Sequence, residues 1–83
     1  MIKVKVKYFG IAQDYAQKKE EEINTGGSLQ VLIDEIFKKY PLLNNPNIKI
    51  THNFQIITDN TILGKINLKE NDEIAFLPPF AGG

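Results

Sequence analysis

One stretch of this chain has the apolar spacing of a long surface helix, and the segments on either side of it alternate like strands. Leu29, Leu32, Ile33, Ile36, Phe37 and Tyr40 recur at i, i+3, i+4, i+7, i+8 and i+11, which gathers them into one stripe on a helix. The spacing predicts a helix over 29–40. Ser28 is placed to cap its first turn, and Pro41 cannot continue it. Asp34–Lys38 and Glu35–Lys39 have the i, i+4 order that suits ion pairs on the outer surface. A single stripe must be buried against something, so the strands decide the fold.

Ile2, Val4, Val6 and Tyr8 alternate with Lys3, Lys5, Lys7 and Phe9. That pattern predicts a strand over 2–9 with a solvated lysine face, in an antiparallel or mixed sheet covered on one side. Phe9 ends the wet face with an apolar residue. Either it stays there, or the strand has already ended and Phe9 turns inward. Ile11, Ala12, Tyr15 and Ala16 suggest a short helix over 11–18 that needs packing to persist. Lys18-Lys19-Glu20-Glu21-Glu22 reads as a turn into a polar second strand ending near Thr25, and Gly26-Gly27 breaks the chain. Beyond Pro41, residues 44–47 form a loop and 48–58 are strand-like with a turn near Asn53. Residues 62–68 fit no single period. Glu70-Asn71-Asp72 is a turn in which Asn tolerates the left-handed conformation. Residues 73–77 form a strand, with Ile74 and Phe76 on one face and Ala75 and Leu77 on the other.

This order predicts an α+β, ubiquitin-like β-grasp domain over 1–77, a mixed sheet of about four to five strands covered by one main helix. Residues 78–83 follow as a flexible, extended tail. At 83 residues the chain is one domain. Such a domain buries only about 60–65% of its unfolded surface, which leaves little room for an enclosed pocket, so a self-sufficient active site is not expected. Ten Lys, no Arg and ten acidic residues sum to zero charge, against the basic surplus a nucleic-acid binder needs. The absence of Cys excludes disulfides, structural zinc and thiol catalysis. His52 is the single histidine, so no multi-His metal site is expected. It shares parity with Ile48 and Ile50, as a core-edge or turn histidine would. No apolar run is long enough to span a membrane, and the N-terminus lacks a signal-peptide block, so a cytoplasmic location is expected. Glu20-Glu21-Glu22 could attract a cation, although its ordinary reading is a solvated edge. The lysine stripe at 3, 5 and 7 could steer an acidic partner or serve only solubility.

Fold does not fix function, so the tail Pro78-Pro79-Phe80-Ala81-Gly82-Gly83 carries the functional reading. Proline lacks an N–H and cannot extend the last strand's ladder. It favours an extended path, so six residues could project roughly 15–20 Å. Two glycines can enter a channel too narrow for any Cβ. A terminal carboxylate is ionised at neutral pH and is a poor acyl donor. It must first become an acyl phosphate or acyl adenylate, from which a sulfur nucleophile can displace AMP. The chain has no phosphate-cradling loop. Gly26-Gly27-Ser28 lacks the Lys and the length of one, and is better explained as a turn plus a helix cap. ATP must therefore be held by a partner, and no cofactor is expected on this chain.

The stretch from Asn71 to Gly83 resembles the ending of the MoaD/ThiS sulfur-carrier family, in particular of its members that serve as molybdopterin synthase small subunits. Val4-Lys5-Val6-Lys7-Tyr8-Phe9-Gly10 is similar to that family's first strand with its two aromatics. Length and element order agree across the chain, the tail closely and 41–68 loosely. The resemblance implies that Gly83 is adenylated by a ubiquitin-activating-like adenylyltransferase and becomes a thiocarboxylate. It implies that Gly82, Ala81, Phe80, Pro79 and Pro78 thread into the synthase large subunit. There the sulfur passes to cyclic pyranopterin phosphate to build the dithiolene that holds molybdenum or tungsten. The chain would then be a sulfur-donating subunit, not catalytic alone. Phe9 and Leu77 would form an apolar docking patch on the open sheet face. Three positions depart from the family pattern: Asn71 for the turn Gly, Leu77 for an aromatic, and Phe80 for a smaller residue. The same tail chemistry serves thiamin synthesis, tRNA thiolation and ubiquitin-like protein conjugation; Pro78-Pro79 and the chain length favour the molybdopterin branch. A plain interaction module with an incidental Gly-Gly is the alternative of a different class.

Overall fold

The alternation of the first segment becomes strand β1, Ile2–Tyr8, in a computed structural model that describes residues 1–79. Val4, Val6 and Tyr8 are at most 1% exposed, while Lys3 and Lys5 face solvent. Helix α1 (Ile11–Ala16) follows, then β2 (Glu20–Thr25), α2 (Leu29–Lys39), a 3-10 turn (Pro41–Leu43), β3 (Lys49–His52), β4 (Gln55–Ile56), a longer 3-10 segment (Asn60–Lys65) and β5 (Glu73–Leu77). The five strands lie in the order β2-β1-β5-β3-β4. β1 and β5 run parallel, and the other pairs are antiparallel. This is the mixed, one-helix β-grasp arrangement that the element order predicts.

The α2 stripe buries Leu29, Leu32, Ile33 and Ile36 in one cluster with Val4, Val6, Tyr8, Ile50, Ile74 and Phe76. Phe76 stacks on Tyr8 at 5.6 Å and 20°, and Phe37 tilts against it at 6.5 Å. The Ser28 hydroxyl accepts from the Val31 N–H at 3.4 Å. The Leu29 N–H donates to the Ile66 carbonyl at 2.8 Å, so this helix start is tied to its own domain.

Several local features differ from the sequence-based expectation. α1 stops at Ala16 because Gln17 turns left-handed, with φ 59°. Phe9 lies just beyond β1 yet does not turn inward; it is 45% exposed. Neither Asp34–Lys38 nor Glu35–Lys39 closes as an ion pair among the described residues. Asp34 instead accepts from Gln30 Nε2 at 2.9 Å, and Lys39 reaches Glu21 at 3.9 Å. A partly buried carboxylate attracts the ammonium more strongly than an exposed one on the same helix. The ambiguous 62–68 region falls within and after the 3-10 segment, which the Asp59 side chain opens by accepting from the Thr61 N–H at 2.9 Å. A three-residue repeat shows neither the helical nor the strand period, so its buried Leu63 was not announced. The turns expected near Asn53 and Asn71 are present. Asn53 and Phe54 both have positive φ, 48° and 72°, and Asn71 has φ 68°. No helix of the described residues is long and apolar enough to cross a membrane.

Candidate functional site

β5 is the central strand, and the tail leaves from its end. On one side Phe9 N–H donates to the Phe76 carbonyl at 3.0 Å; on the other Leu77 lies opposite Lys49. The next residue, Pro78, has no N–H to give, so pairing stops at Leu77. Pro78 then lies against Gly10. A Cβ built at Gly10 would sit 2.8 Å from both Cβ and Cγ of Pro78, and Gly10 has φ 57°. Both the close approach and the backbone angle call for glycine here. Pro78 is half-buried on this seat, and Pro79 is exposed.

A hydrogen-bonded clasp underlies the tail base. The β1–β2 register sets Glu21 opposite Val6, which turns its carboxylate toward the helix side of the sheet. Tyr8 OH donates to Glu21 Oε2 at 2.6 Å, and Tyr40 OH donates to the same oxygen at 3.1 Å. The ammoniums of Lys18 and Lys39 lie 3.6 and 3.9 Å from Oε1. Burial alone would raise the Glu21 carboxyl, but these hydrogen bonds and cations outweigh it and hold the group below the usual carboxylate range. Burial, then the adjacent carboxylate, pushes the Tyr8 hydroxyl far up, so it stays a donor. The glutamate run is therefore not uniformly a solvated edge: Glu20 and Glu22 face out and Glu21 is a structural anchor.

On the outer sheet face, Lys7, Ala75 and Thr51 are cross-strand neighbours, as are Leu77 and Lys49. Continuing the β1 alternation puts Phe9 on that face beside the Leu77 end. Phe9, Leu77, Pro78 and Pro79 thus converge at one end of the sheet. Phe80, Ala81, Gly82 and Gly83, which the sequence reading singles out, lie outside the described residues. At this end Phe9 is 45% exposed, Leu77 and Pro78 are half-buried and Pro79 is exposed.

His52 lies at the opposite end of the sheet. Its Nε2 is 2.9 Å from Asp72 Oδ2, while Asn53 Nδ2 donates to Asp72 Oδ1 at 3.0 Å and the Lys69 N–H donates to Oδ2 at 3.0 Å. Burial would raise the Asp72 carboxyl, but these hydrogen bonds, that with His52 foremost, hold it low. His52 is thus a staple between two turns, as its parity suggests. Among the described residues, no group of three or more His, Cys, Asp or Glu could hold a metal ion. An open groove of about 550 Å³ lies between α2 and the β3–β4 edge, floored by Ile33, Leu43, Ile50 and Leu63.

Sequence reasoning missed the Gly10–Pro78 seat and the Glu21 clasp. Tyr8, Glu21 and Tyr40 are distant in the chain, and only register brings them together. The Gly in Tyr8-Phe9-Gly10 was the one available signal for the seat.

The sequence profile of the ThiS family matches residues 6–83. The chain belongs to the ThiS family. This ThiS-family chain is 35% identical, over the whole of both chains, to a molybdopterin synthase sulfur carrier subunit of Mycobacterium tuberculosis. Its fold matches a chain of a complex of subunits 1 and 2 of the molybdopterin-converting factor from Helicobacter pylori, with TM-score 0.72 and 26% identity, covering 99% of this chain and 100% of the other. It also matches small archaeal modifier protein 1 from Methanosarcina acetivorans, with TM-score 0.78 and 28% identity, covering 100% of this chain and 98% of the other.

Proposed function

We propose that this ThiS-family chain is the sulfur-carrier subunit of a molybdopterin synthase, acting in the cytosol. The carboxylate of Gly83 attacks the α-phosphorus of ATP on a partner adenylyltransferase, and pyrophosphate leaves. Sulfide, as HS⁻, then attacks the acyl carbon, AMP leaves, and a thiocarboxylate remains. With the tail threaded into the synthase large subunit, that sulfur bonds to cyclic pyranopterin phosphate. Water takes the acyl group, which returns the carboxylate. This chain's own part is to hold the handle out: Pro78 on its Gly10 seat, Pro79 beyond it, Phe9 and Leu77 beside it.

The observation that supports the reading is the sequence Pro78-Pro79-Phe80-Ala81-Gly82-Gly83, which follows β5 along the chain. End-to-end similarity to a relative named as a molybdopterin synthase sulfur carrier supports the molybdopterin branch. The test is complementation in cells of the native host lacking this gene. The full chain should restore dithiolene cofactor and a chain without Gly83 should not; restoration by the shortened chain would overturn the reading. The likeness to an archaeal modifier protein favours a second reading, conjugation to proteins. That reading predicts a ladder of larger species, joined through Gly83 to lysines, on denaturing gels of host extracts.

A further inference from the structure

Four lysines lie on the outer face of the sheet, and three of them belong to the β1 stripe. The register matches that stripe to its neighbour: Lys5 lies opposite Glu22 and Lys7 opposite Glu20, with Lys3 opposite Asn24. Lys7 also makes an ion pair with Glu73 at 3.3 Å. Lys7 is thus paired and Lys5 lies between two glutamates in register, Glu22 and Glu73. The fourth, Lys49, is different. It is exposed, it opens β3, and its cross-strand neighbour is Leu77, the last residue before the tail. No carboxylate lies within ion-pair distance of Lys49 among the described residues. Lys3 also has no ion pair among the described residues, but it lies at the start of β1, away from Leu77; Lys49 is the lysine of this face that stands beside Leu77, where the tail departs, with no carboxylate across from it.

We propose that Lys49 is the charged anchor of the tail-base docking surface, and that the partner surface seated there carries a carboxylate facing Lys49 beside an apolar strip. The proposal deepens the molybdopterin synthase reading and rests on it: the partner is the large subunit that receives the tail. The complementarity calls for an acidic protein surface. A polyanion such as nucleic acid would need a cluster of cations, whereas this chain has zero net charge and no Arg. One ion pair at the β3 side and one threaded tail make two separated points of attachment. Two such points fix the orientation in which the tail enters the partner, which a small apolar patch cannot do alone. A charge at the rim acts chiefly on the rate and register of encounter.

The experiment measures association of the full chain with the large subunit from the same organism, at low and at physiological ionic strength. Lys49→Glu should slow association about tenfold at low salt and flatten its salt dependence. Lys49→Arg should stay within about twofold of the native rate, since the charge is kept. Lys38→Glu, on the far surface of α2, makes the same change in net charge and should leave the rate unaltered. Circular dichroism establishes that each variant is folded. Native association by Lys49→Glu overturns the proposal, and so does equal slowing by Lys38→Glu, which would assign the effect to net charge. If Leu77→Ala weakens the complex while Lys49→Glu does not, the docking reading survives and this proposal fails. If the unaltered chain does not bind the large subunit, both fail.

Discussion

Tyr8→Phe tests the clasp beneath the tail base. The substitution keeps the ring, its stack on Phe76 and its burial, and removes only the hydroxyl that donates to Glu21 at 2.6 Å. A hydrogen bond to a charged group contributes about 1.5–3 kcal/mol. The larger penalty for an orphaned charge does not apply, because Tyr40, Lys18 and Lys39 still face the carboxylate. The expected loss is therefore about 2 kcal/mol, which lowers the melting temperature of a domain this size by about 8–16 °C. In a Glu21→Gln background the hydroxyl meets a neutral amide, and Tyr8→Phe should cost only about 1 kcal/mol. The pH dependence has a definite sign. The folded Glu21 carboxyl is held below its unfolded value. Its stabilisation is complete above the unfolded value of about 4.3 and fades as pH falls through the lower folded value. The gap between Tyr8→Phe and the native chain should therefore narrow in acid. Urea unfolding at pH 7 and at several acidic pH values reads both quantities. A loss under about 0.5 kcal/mol at pH 7, within the range of ordinary surface changes, or a gap that does not change with pH, would refute the reasoning.

Leu77→Ala and Phe80→Ala should each weaken the complex with the large subunit and leave the domain folded. Ordering tail residues costs on the order of 1–2 kcal/mol each, and apolar burial at about 25 cal/mol per Å² must offset it; titration calorimetry with native affinity for both variants would contradict this. Thr25 is 1% exposed, and among the described residues its Oγ1 has no hydrogen-bond partner. Thr25→Val should therefore stabilise the fold by about 1 kcal/mol, read as a higher urea midpoint. Phe54 occupies the second hairpin-turn position at φ 72° while 81% exposed. Phe54→Gly should relieve the left-handed strain and raise stability by about 0.5–1 kcal/mol; a lower melting temperature would show that the ring does more than its exposure suggests.

The elements with a clean period were legible in the sequence. The β1 alternation, the α2 stripe, the Ser28 cap and the left-handed Asn71 each rest on physics within a few residues, and each is present. The parts that escaped depend on partners far along the chain. Glu21 looks like its two neighbours until the β1 register turns it toward Tyr8 and Tyr40. Lys39 follows it across the surface instead of pairing with Glu35. Gly10 reads as an ordinary turn residue until Pro78, many positions later, packs against it. The tail's composition was plain, but the floor it stands on was not.

The central claim is that Gly83 carries sulfur, and the most direct measurement is the mass of the C-terminal fragment of this chain isolated from its native host. The account predicts a fraction in which one oxygen of the terminal carboxyl is replaced by sulfur, lost when the host's activating enzyme is deleted. A terminal fragment that remains an ordinary carboxylate while that enzyme is active would contradict it.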